Sequence, residues 1–382
     1  MKVFWRNAGR WMAPVAAMAW LTACQMQPVN PVAGSADAQP TIPGPPGIGI
    51  DVPVAWGGEV RCGTQGCRLV AVEHGAGNVV LYQLNGRQPA RLLDRQAVAY
   101  HPDSAIWLAD DLVAAAVELT GSLDIFRVED GHLRRIDQIM LGITPRDVVR
   151  VSEDGQGRYR LLATPYSGEE VAWVDYTPGQ PQATKVIRRR WCEAPWHPVR
   201  VGHAPGAPEG GVAVACRGAQ RVVLALQGDL TGTVRTLAAP KFQQPLAIRQ
   251  ARPSPSGKWL FAAVETGGRN FRIDMDSGEL QWLAFPPTGA VAVLPLSDDL
   301  VIWGDDLRLH MQRLDGQGQV LETRYLPVDG FATGLQLQDV DGDGEPDLVA
   351  YNAGVLPDKK GVNILFGPLW EQAVRTWPPQ SR

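Results

Sequence analysis

Charge is scarce in this 382-residue chain: Asp, Glu, Lys and Arg together make up 20%, which argues against coiled coils and helical bundles. A basic surplus is missing as well. The net charge is −4, and without Lys2, Arg6 and Arg10 of the leader, 33 basic residues face 40 acidic ones. Nucleic acids are bound by a positive field, so no nucleic acid is expected as a ligand. No Gly-x-Ser-x-Gly elbow, phosphate-binding loop or His-Glu-x-x-His occurs, so the common catalytic signatures are absent. There is no Cys-x-x-Cys-His, which excludes the usual covalent haem attachment. The histidines are scattered, and only His197 and His203 lie near each other, six apart, which is not a usual metal-ligand spacing.

Apolar residues, at 45%, are sufficient for a large core, while 41 Gly and 31 Pro call for many turns joining short strands. One phrase recurs: a glycine, then an alternating strand. Examples are Gly77-Asn-Val-Val-Leu-Tyr-Gln-Leu84, Gly121-Ser-Leu-Asp-Ile-Phe-Arg-Val128 and Gly168-Glu-Glu-Val-Ala-Trp-Val-Asp175; the others start at Gly218, Gly268, Gly304 and Gly361. These glycines are 44, 47, 50, 50, 36 and 57 residues apart, a mean of about 47, the length of a four-stranded propeller blade. Turn pairs such as Asn85-Gly86 and Asp130-Gly131 follow several phrases. The expected fold is all-β, a single β-propeller of seven four-stranded blades over residues 48–378. A β-sandwich with long loops, or a ring of six or eight blades, fits the same phrases, and the short fifth and long sixth intervals test the count. Trp173, Trp259, Trp282 and Trp303 fall on or beside strand phrases, where packing between blades is their expected use.

Residues 1–23 have a basic start and an apolar stretch from Trp11 to Leu21, too short to be a permanent membrane span and suited to a secretory signal. The stretch ends in Leu21-Thr22-Ala23-Cys24, which resembles the lipobox of bacterial lipoproteins. That resemblance implies acylation of Cys24, anchorage to a membrane through the lipid, and, with Gln25 rather than Asp following, passage to the outer membrane. Residues 24–47 are rich in proline and small polar residues and read as a tether.

Four further cysteines, Cys62, Cys67, Cys192 and Cys216, are an even number in an exported chain, as two disulfides would leave. Cys62 and Cys67 flank a turn-like spacer, and Cys192 and Cys216 would then pair between neighbouring strands. A four-thiolate zinc site is the alternative, although neither pair has the two-residue spacing usual there.

The sharpest motif is Asp339-Val-Asp341-Gly-Asp343-Gly-Glu345-Pro-Asp347. Carboxylates at positions 1, 3, 5 and 9, with a carbonyl from Glu345 at position 7, would place hard oxygen ligands around one centre. Four unneutralised carboxylates would repel one another, and a bound Ca2+ resolves this most simply. The stretch from Leu337 to Asn352 resembles the FG-GAP or VCBS repeats of integrin-type propellers, whose calcium loop joins the first two strands of a blade. In the comparable segment Val151–Ala163, Arg160 stands where Asp347 stands, so a metal-free loop is expected there.

Propeller sites gather single residues from the segments leading into the innermost strands: Tyr100-His101-Pro102, Pro145-Arg146-Asp147, Trp196 to Arg200, and Gln244-Pro245. Arg146, Asp147, His197 and Arg200 would form a mixed-charge mouth able to hold an acidic group. The run Arg188-Arg189-Arg190 reads as a solvated strand edge. The expectation is a monomeric, non-catalytic, calcium-braced scaffold on the periplasmic face of the outer membrane that binds an envelope protein or glycan. The alternative is a propeller enzyme of the lactonase, lyase or quinoprotein kind, with its site at the central channel.

Overall fold

The computed structural model describes residues 47–226, 234–240, 247–265, 269–284, 289–305, 308–353 and 359–377. The leader, Cys24, the tether up to residue 46 and the Gln244-Pro245 segment lie outside the described residues.

After β1 (Gly47–Ile50), strands follow in groups of four. Blade 1 holds β2 (Gly58–Gly63), β3 (Gly66–Glu73), β4 (Asn78–Asn85) and β5 (Gln88–Ala97). Blade 2 holds β6 (Pro102–Ala109), β7 (Leu112–Val117), β8 (Ser122–Glu129) and β9 (His132–Met140). Blade 3 holds β10 (Pro145–Glu153), β11 (Tyr159–Pro165), β12 (Glu170–Tyr176) and β13 (Lys185–Arg190). Blade 4 holds β14 (Pro195–Val201), β15 (Gly211–Cys216), β16 (Arg221–Leu226) and β17 (Val234–Ala238). Blade 5 holds β18 (Ile248–Pro253), β19 (Trp259–Val264), β20 (Arg269–Asp274) and β21 (Leu280–Ala284). Blade 6 holds β22 (Ala292–Pro295), β23 (Leu300–Gly304), β24 (Arg308–Leu314) and β25 (Val320–Pro327). Blade 7 holds β26 (Phe331–Gln338), β27 (Asp347–Ala353) and β28 (Val362–Leu365), and β1 returns to pair with β28 as its outermost strand. The chain thus closes its own ring, since the last blade is completed by the first strand.

All seven glycine phrases lead into third strands, β4, β8, β12, β16, β20, β24 and β28. The interval of 36 is short because β22 and β23 have only four and five residues. The interval of 57 carries the acidic loop between β26 and β27 and a further connection between β27 and β28. Successive first strands touch around the ring and form its inner wall.

Burial follows from this stacking. Second strands such as β7 (LVAAAV), β15 (GVAVAC) and β19 (WLFAAV) are buried along their whole length, because both faces meet a neighbouring blade. Outer strands such as β5 and β9 are mostly polar and reach solvent. Among the described residues the core divides into seven clusters, one at each interface between blades. Trp173, Trp259 and Trp303 are buried in these clusters and Trp282 packs against one.

All four cysteines are taken up in disulfides, Cys62–Cys67 and Cys192–Cys216, which removes the zinc alternative. The first spans the β2–β3 hairpin. The second differs from the expected strand-to-strand pair: Cys192 lies on the connection into blade 4 and is joined to the end of β15. Closing a loop of 24 residues restricts the unfolded chain by about 3 kcal/mol.

Candidate functional site

The first strands surround a cavity of about 410 Å3 on the ring axis. Each strand presents an edge to it, so one blade's polar side chains can reach the free backbone groups of the next. Glu59 accepts the Trp107 N–H at 2.6 Å, Asp147 accepts the His197 N–H at 3.1 Å, Gln250 accepts the Val293 N–H at 2.8 Å, and Gln336 accepts the Val60 N–H at 2.8 Å. These side chains buckle blade 1 to 2, 3 to 4, 5 to 6 and 7 to 1.

Of the four residues expected at the mouth, Asp147, His197 and Arg200 line this cavity. His197 sits at the start of β14 with φ 48, a left-handed conformation uncommon for a residue with a side chain. Its Nδ1 is 3.4 Å from Asp147, yet burial outweighs that carboxylate and brings its pKa down to about 4, so the ring is neutral at pH 7. Arg200 lies farther along β14, toward its other end, and is exposed. Two arginines that were not singled out from the sequence join it on the wall: Arg150 of β10 and Arg252 of β18. Arg150 is engaged, donating to the Leu108 carbonyl at 2.5 Å. Arg252 is half-buried and, like Arg200, has no hydrogen-bond or ion-pair partner among the described residues. Burial lowers its pKa, countered by Asp147, Tyr351 and Glu59 across the lumen.

The fourth residue, Arg146, closes one end. Its guanidinium carbon lies 4.0 Å from the ring centroid of Trp196, 5.0 Å from Trp56 and 5.7 Å from Tyr166. Trp56 leads into blade 1 and Trp196 belongs to blade 4, so these rings come from opposite sides of the seven-membered ring and Arg146 spans the axis between them. It is only 3% exposed. Asp147 lies 3.6 Å from it, and among the described residues Arg146 donates no hydrogen bond. Arg217 and Arg249 also pack on Trp196, at 4.7 and 4.8 Å, and share Glu265. Burial, together with the nearby charge of Arg146, pulls Arg249 down to about 10.

A second group stands beside this cap, in blades 1 and 2. His74, on the β3–β4 loop, touches the Trp56 ring at 5.4 Å and the His101 ring at 4.3 Å. Its Nδ1 is 3.2 Å from Asp103, and His101, at φ 60, has its Nδ1 3.7 Å from Glu118. Burial, followed by the neighbouring charge of Asp103, pushes Glu118 up to about 7. Sequence reading found His101 only as part of a loop and missed His74, Asp103 and Glu118. No signal marks them, because they lie in three separate segments that meet only where blade 1 packs against blade 2.

In the acidic loop, the carboxylates of Asp339, Asp341 and Asp347 converge to within 4.8 Å of one another. Asp347 is fully buried and accepts the N–H groups of Val340 and Gly367 at 2.8 and 2.9 Å. Asp339 accepts the N–H groups of Gly342 and Gly344. The carboxylate of Asp343 is not part of the convergent trio and accepts the N–H of the exposed Glu345 at 2.9 Å. The expectation of unneutralised charge needs correction. Arg87, on the β4–β5 hairpin of blade 1, reaches across the seam to Asp341 at 2.6 Å and Asp343 at 3.1 Å, holding Asp341 below the usual carboxylate range. The oxygen-rich trio suits a hard cation such as Ca2+, but such an ion would share the loop with a guanidinium. In the comparable β10–β11 loop, Arg160 pairs with Asp175 at 2.7 Å. The exposed guanidinium of Arg188 is likewise paired, with Glu170 at 3.3 Å.

Sequence comparison finds no protein family and no characterised protein that matches this chain. Structural comparison finds many propellers. A catalytically inactive virginiamycin B lyase from Staphylococcus aureus, solved with quinupristin, superposes with a TM-score of 0.58 at 10% identity, covering 83% of this chain and 96% of its own. The β-propeller domain of Cps50 (Swd1) from Myceliophteria thermophila gives 0.57 at 13% identity, covering 83% and 97%. The periplasmic gluconolactonase of Pseudomonas aeruginosa gives 0.55 at 17% identity, covering 72% and 86%. At such identities the likeness carries the fold alone: this chain is a seven-bladed β-propeller with four-stranded blades.

Proposed function

We propose that this protein is a binding module of the bacterial cell envelope whose central channel receives an acidic group of a glycan or protein. One observation carries the reading: Arg252 and Arg200 face a cavity of about 410 Å3 without a hydrogen-bond or ion-pair partner among the described residues. Guanidinium forks are matched to carboxylate, sulfate and phosphate oxygens, and a half-buried one without an acceptor favours such a ligand. The cavity volume falls in the range of small-molecule sites. In this reading the ring is monomeric, is tethered through a lipid on Cys24 to the periplasmic face of the outer membrane, and holds Ca2+ at Asp339, Asp341 and Asp347 as a brace.

Calorimetry with glucuronate and with sulfate at low ionic strength tests it. Saturable one-to-one binding is expected, weakened at least about tenfold by Arg252→Gln, the loss of a charged hydrogen-bonded contact. Absence of binding by either anion, or an unchanged affinity in the variant, contradicts the proposal.

A second reading, a propeller enzyme, is favoured by the imidazole–carboxyl cluster in which His74 Nδ1 lies 3.2 Å from Asp103 and His101 Nδ1 lies 3.7 Å from Glu118, an acid–base set next to Trp56 of the channel wall. Lactone hydrolysis or lyase turnover that falls with Glu118→Gln would support it. A chain inert toward lactones and streptogramins, or turning over unchanged in that variant, would remove it.

A further inference from the structure

We infer that the anion taken by the channel is a phosphoryl group, the monoester head of a sugar or a lipid, held by an arc of three arginines. This rests on the anion-binding reading and names its anion. Arg150 of β10, Arg200 of β14 and Arg252 of β18 belong to three successive blades, 3, 4 and 5, and all three line the cavity. Their pairing partners are Leu161, Val212 and Phe261, which are the third, second and third residues of β11, β15 and β19. The three side chains therefore leave neighbouring inner strands at one level of the ring, to within a residue. At that level across the lumen stand Ile106 of β6, paired with Ala114, and Gln336 of β26, paired with Val349, and neither carries a charge. The cationic wall is one-sided.

The carboxylates of the lining, Glu59 and Asp147, are engaged by the main-chain N–H groups of Trp107 and His197. Among the described residues no hydrogen bond or ion pair joins either of them to the arc. Arg150 is held in place by the Leu108 carbonyl at 2.5 Å, which fixes one side of the arc before any ligand arrives. A carboxylate offers two oxygens and is satisfied by a single guanidinium fork. A phosphate monoester offers three terminal oxygens and nearly two negative charges at neutral pH, so it can be gripped from three sides. The second ligand charge, close to a third cation, strengthens binding by about tenfold. Arg200 is exposed and lies toward the end of β14 away from the Arg146 cap, so the arc stands near the open end of the channel. A free sugar phosphate and a lipid headgroup both reach it there, with the uncharged body of the ligand against blades 7 and 2.

Calorimetry at pH 7.5 with glucose 6-phosphate and glucuronate compares the two anions on similar rings. Glucose 6-phosphate should bind at least about tenfold more tightly. Arg200→Gln, at an exposed position that the fold does not need, should weaken glucose 6-phosphate about tenfold and shrink its advantage over glucuronate, and Arg150→Gln should do the same. Competition then separates the sources. Phosphatidate-containing vesicles that displace glucose 6-phosphate, where pure phosphatidylcholine vesicles do not, assign the lipid headgroup; failure of both vesicles to displace it assigns the soluble sugar phosphate. Equal affinity for the two sugars, or an advantage unchanged in both variants, overturns the phosphoryl assignment while leaving the anion-binding reading in place. Lack of binding by glucose 6-phosphate, glucuronate and sulfate alike overturns both.

Discussion

Two charged regions of this ring are handled in opposite ways. At the blade 7 rim, carboxylates are concentrated and are answered: Asp347 by the N–H groups of Val340 and Gly367, Asp339 by Gly342 and Gly344, and Asp341 and Asp343 by Arg87. In the channel, cations are concentrated and only some are answered: Arg150 donates to the Leu108 carbonyl, and Arg217 and Arg249 share Glu265. Among the described residues Arg252 and Arg200 have no hydrogen-bond or ion-pair partner, and Arg146 is held by aromatic faces with Asp147 3.6 Å away. The rim reads as a self-contained brace joining blades 7 and 1, the channel as half of an interaction whose other half is a ligand. A dense charge motif is therefore a weaker pointer to function than a charge left without its complement.

The largest expected effect tests the brace. Asp347→Ala leaves two buried N–H groups without acceptors and should cost about 3 kcal/mol in urea unfolding, with chelator present. If the cost appears only when calcium is present, the loop is held by metal rather than by its own hydrogen bonds, and the contrast with the channel fails.

The channel predicts the opposite sign. Arg252→Leu removes an uncompensated cation from a half-buried wall and should raise stability by about 1 kcal/mol while abolishing anion binding. A loss of stability would mean that Arg252 has an internal partner after all.

A smaller effect separates guanidinium from metal at the rim. Arg87→Ala should lower the melting temperature in chelator and enlarge the rise produced by added Ca2+, because the freed carboxylates of Asp341 and Asp343 gain an ion in place of Arg87. If neither the wild-type chain nor the variant responds to Ca2+, the loop takes no cation.

The smallest effects are slopes with pH. Glu118, raised from 4.5 to about 7, favours the folded state below 4.5, and that contribution drains away as pH rises toward 7. His197, lowered from 6.5 to about 4, contributes above 6.5 and loses its contribution as pH falls toward 4. Unfolding free energy measured across pH 4 to 8 should therefore lose its falling slope in Glu118→Gln and its acid-side slope in His197→Gln. Unchanged slopes would place these titrations elsewhere.

The ring was legible because each blade repeats its own signals: a glycine ahead of the third strand, a tight turn after it, and an apolar second strand buried on both faces. The acidic loop was legible because its carboxylates are contiguous. Arg87 was not, since its pairing with Asp341 exists only once the first blade meets the last. The channel was legible in part. Arg146, Asp147 and His197 announce themselves as residues leading into inner strands, whereas Arg252 looks like any strand residue ahead of the Ser254-Pro255 turn. Glu118 is equally mute, because its weakened acidity comes first from burial and then from Asp103, fifteen residues earlier on β6. Sequence records local order, and these sites are made where blades distant along the chain or separate in sequence pack together.

The central claim is that the channel cations await an external anion. Its most direct test is a high-resolution crystal structure grown at pH 6 with selenate, read by anomalous scattering. The account predicts a selenium peak inside the lumen within hydrogen-bond reach of the Arg252 guanidinium. A lumen holding only water, with Arg252 turned into an ion pair with Asp147 or Glu59, would contradict it.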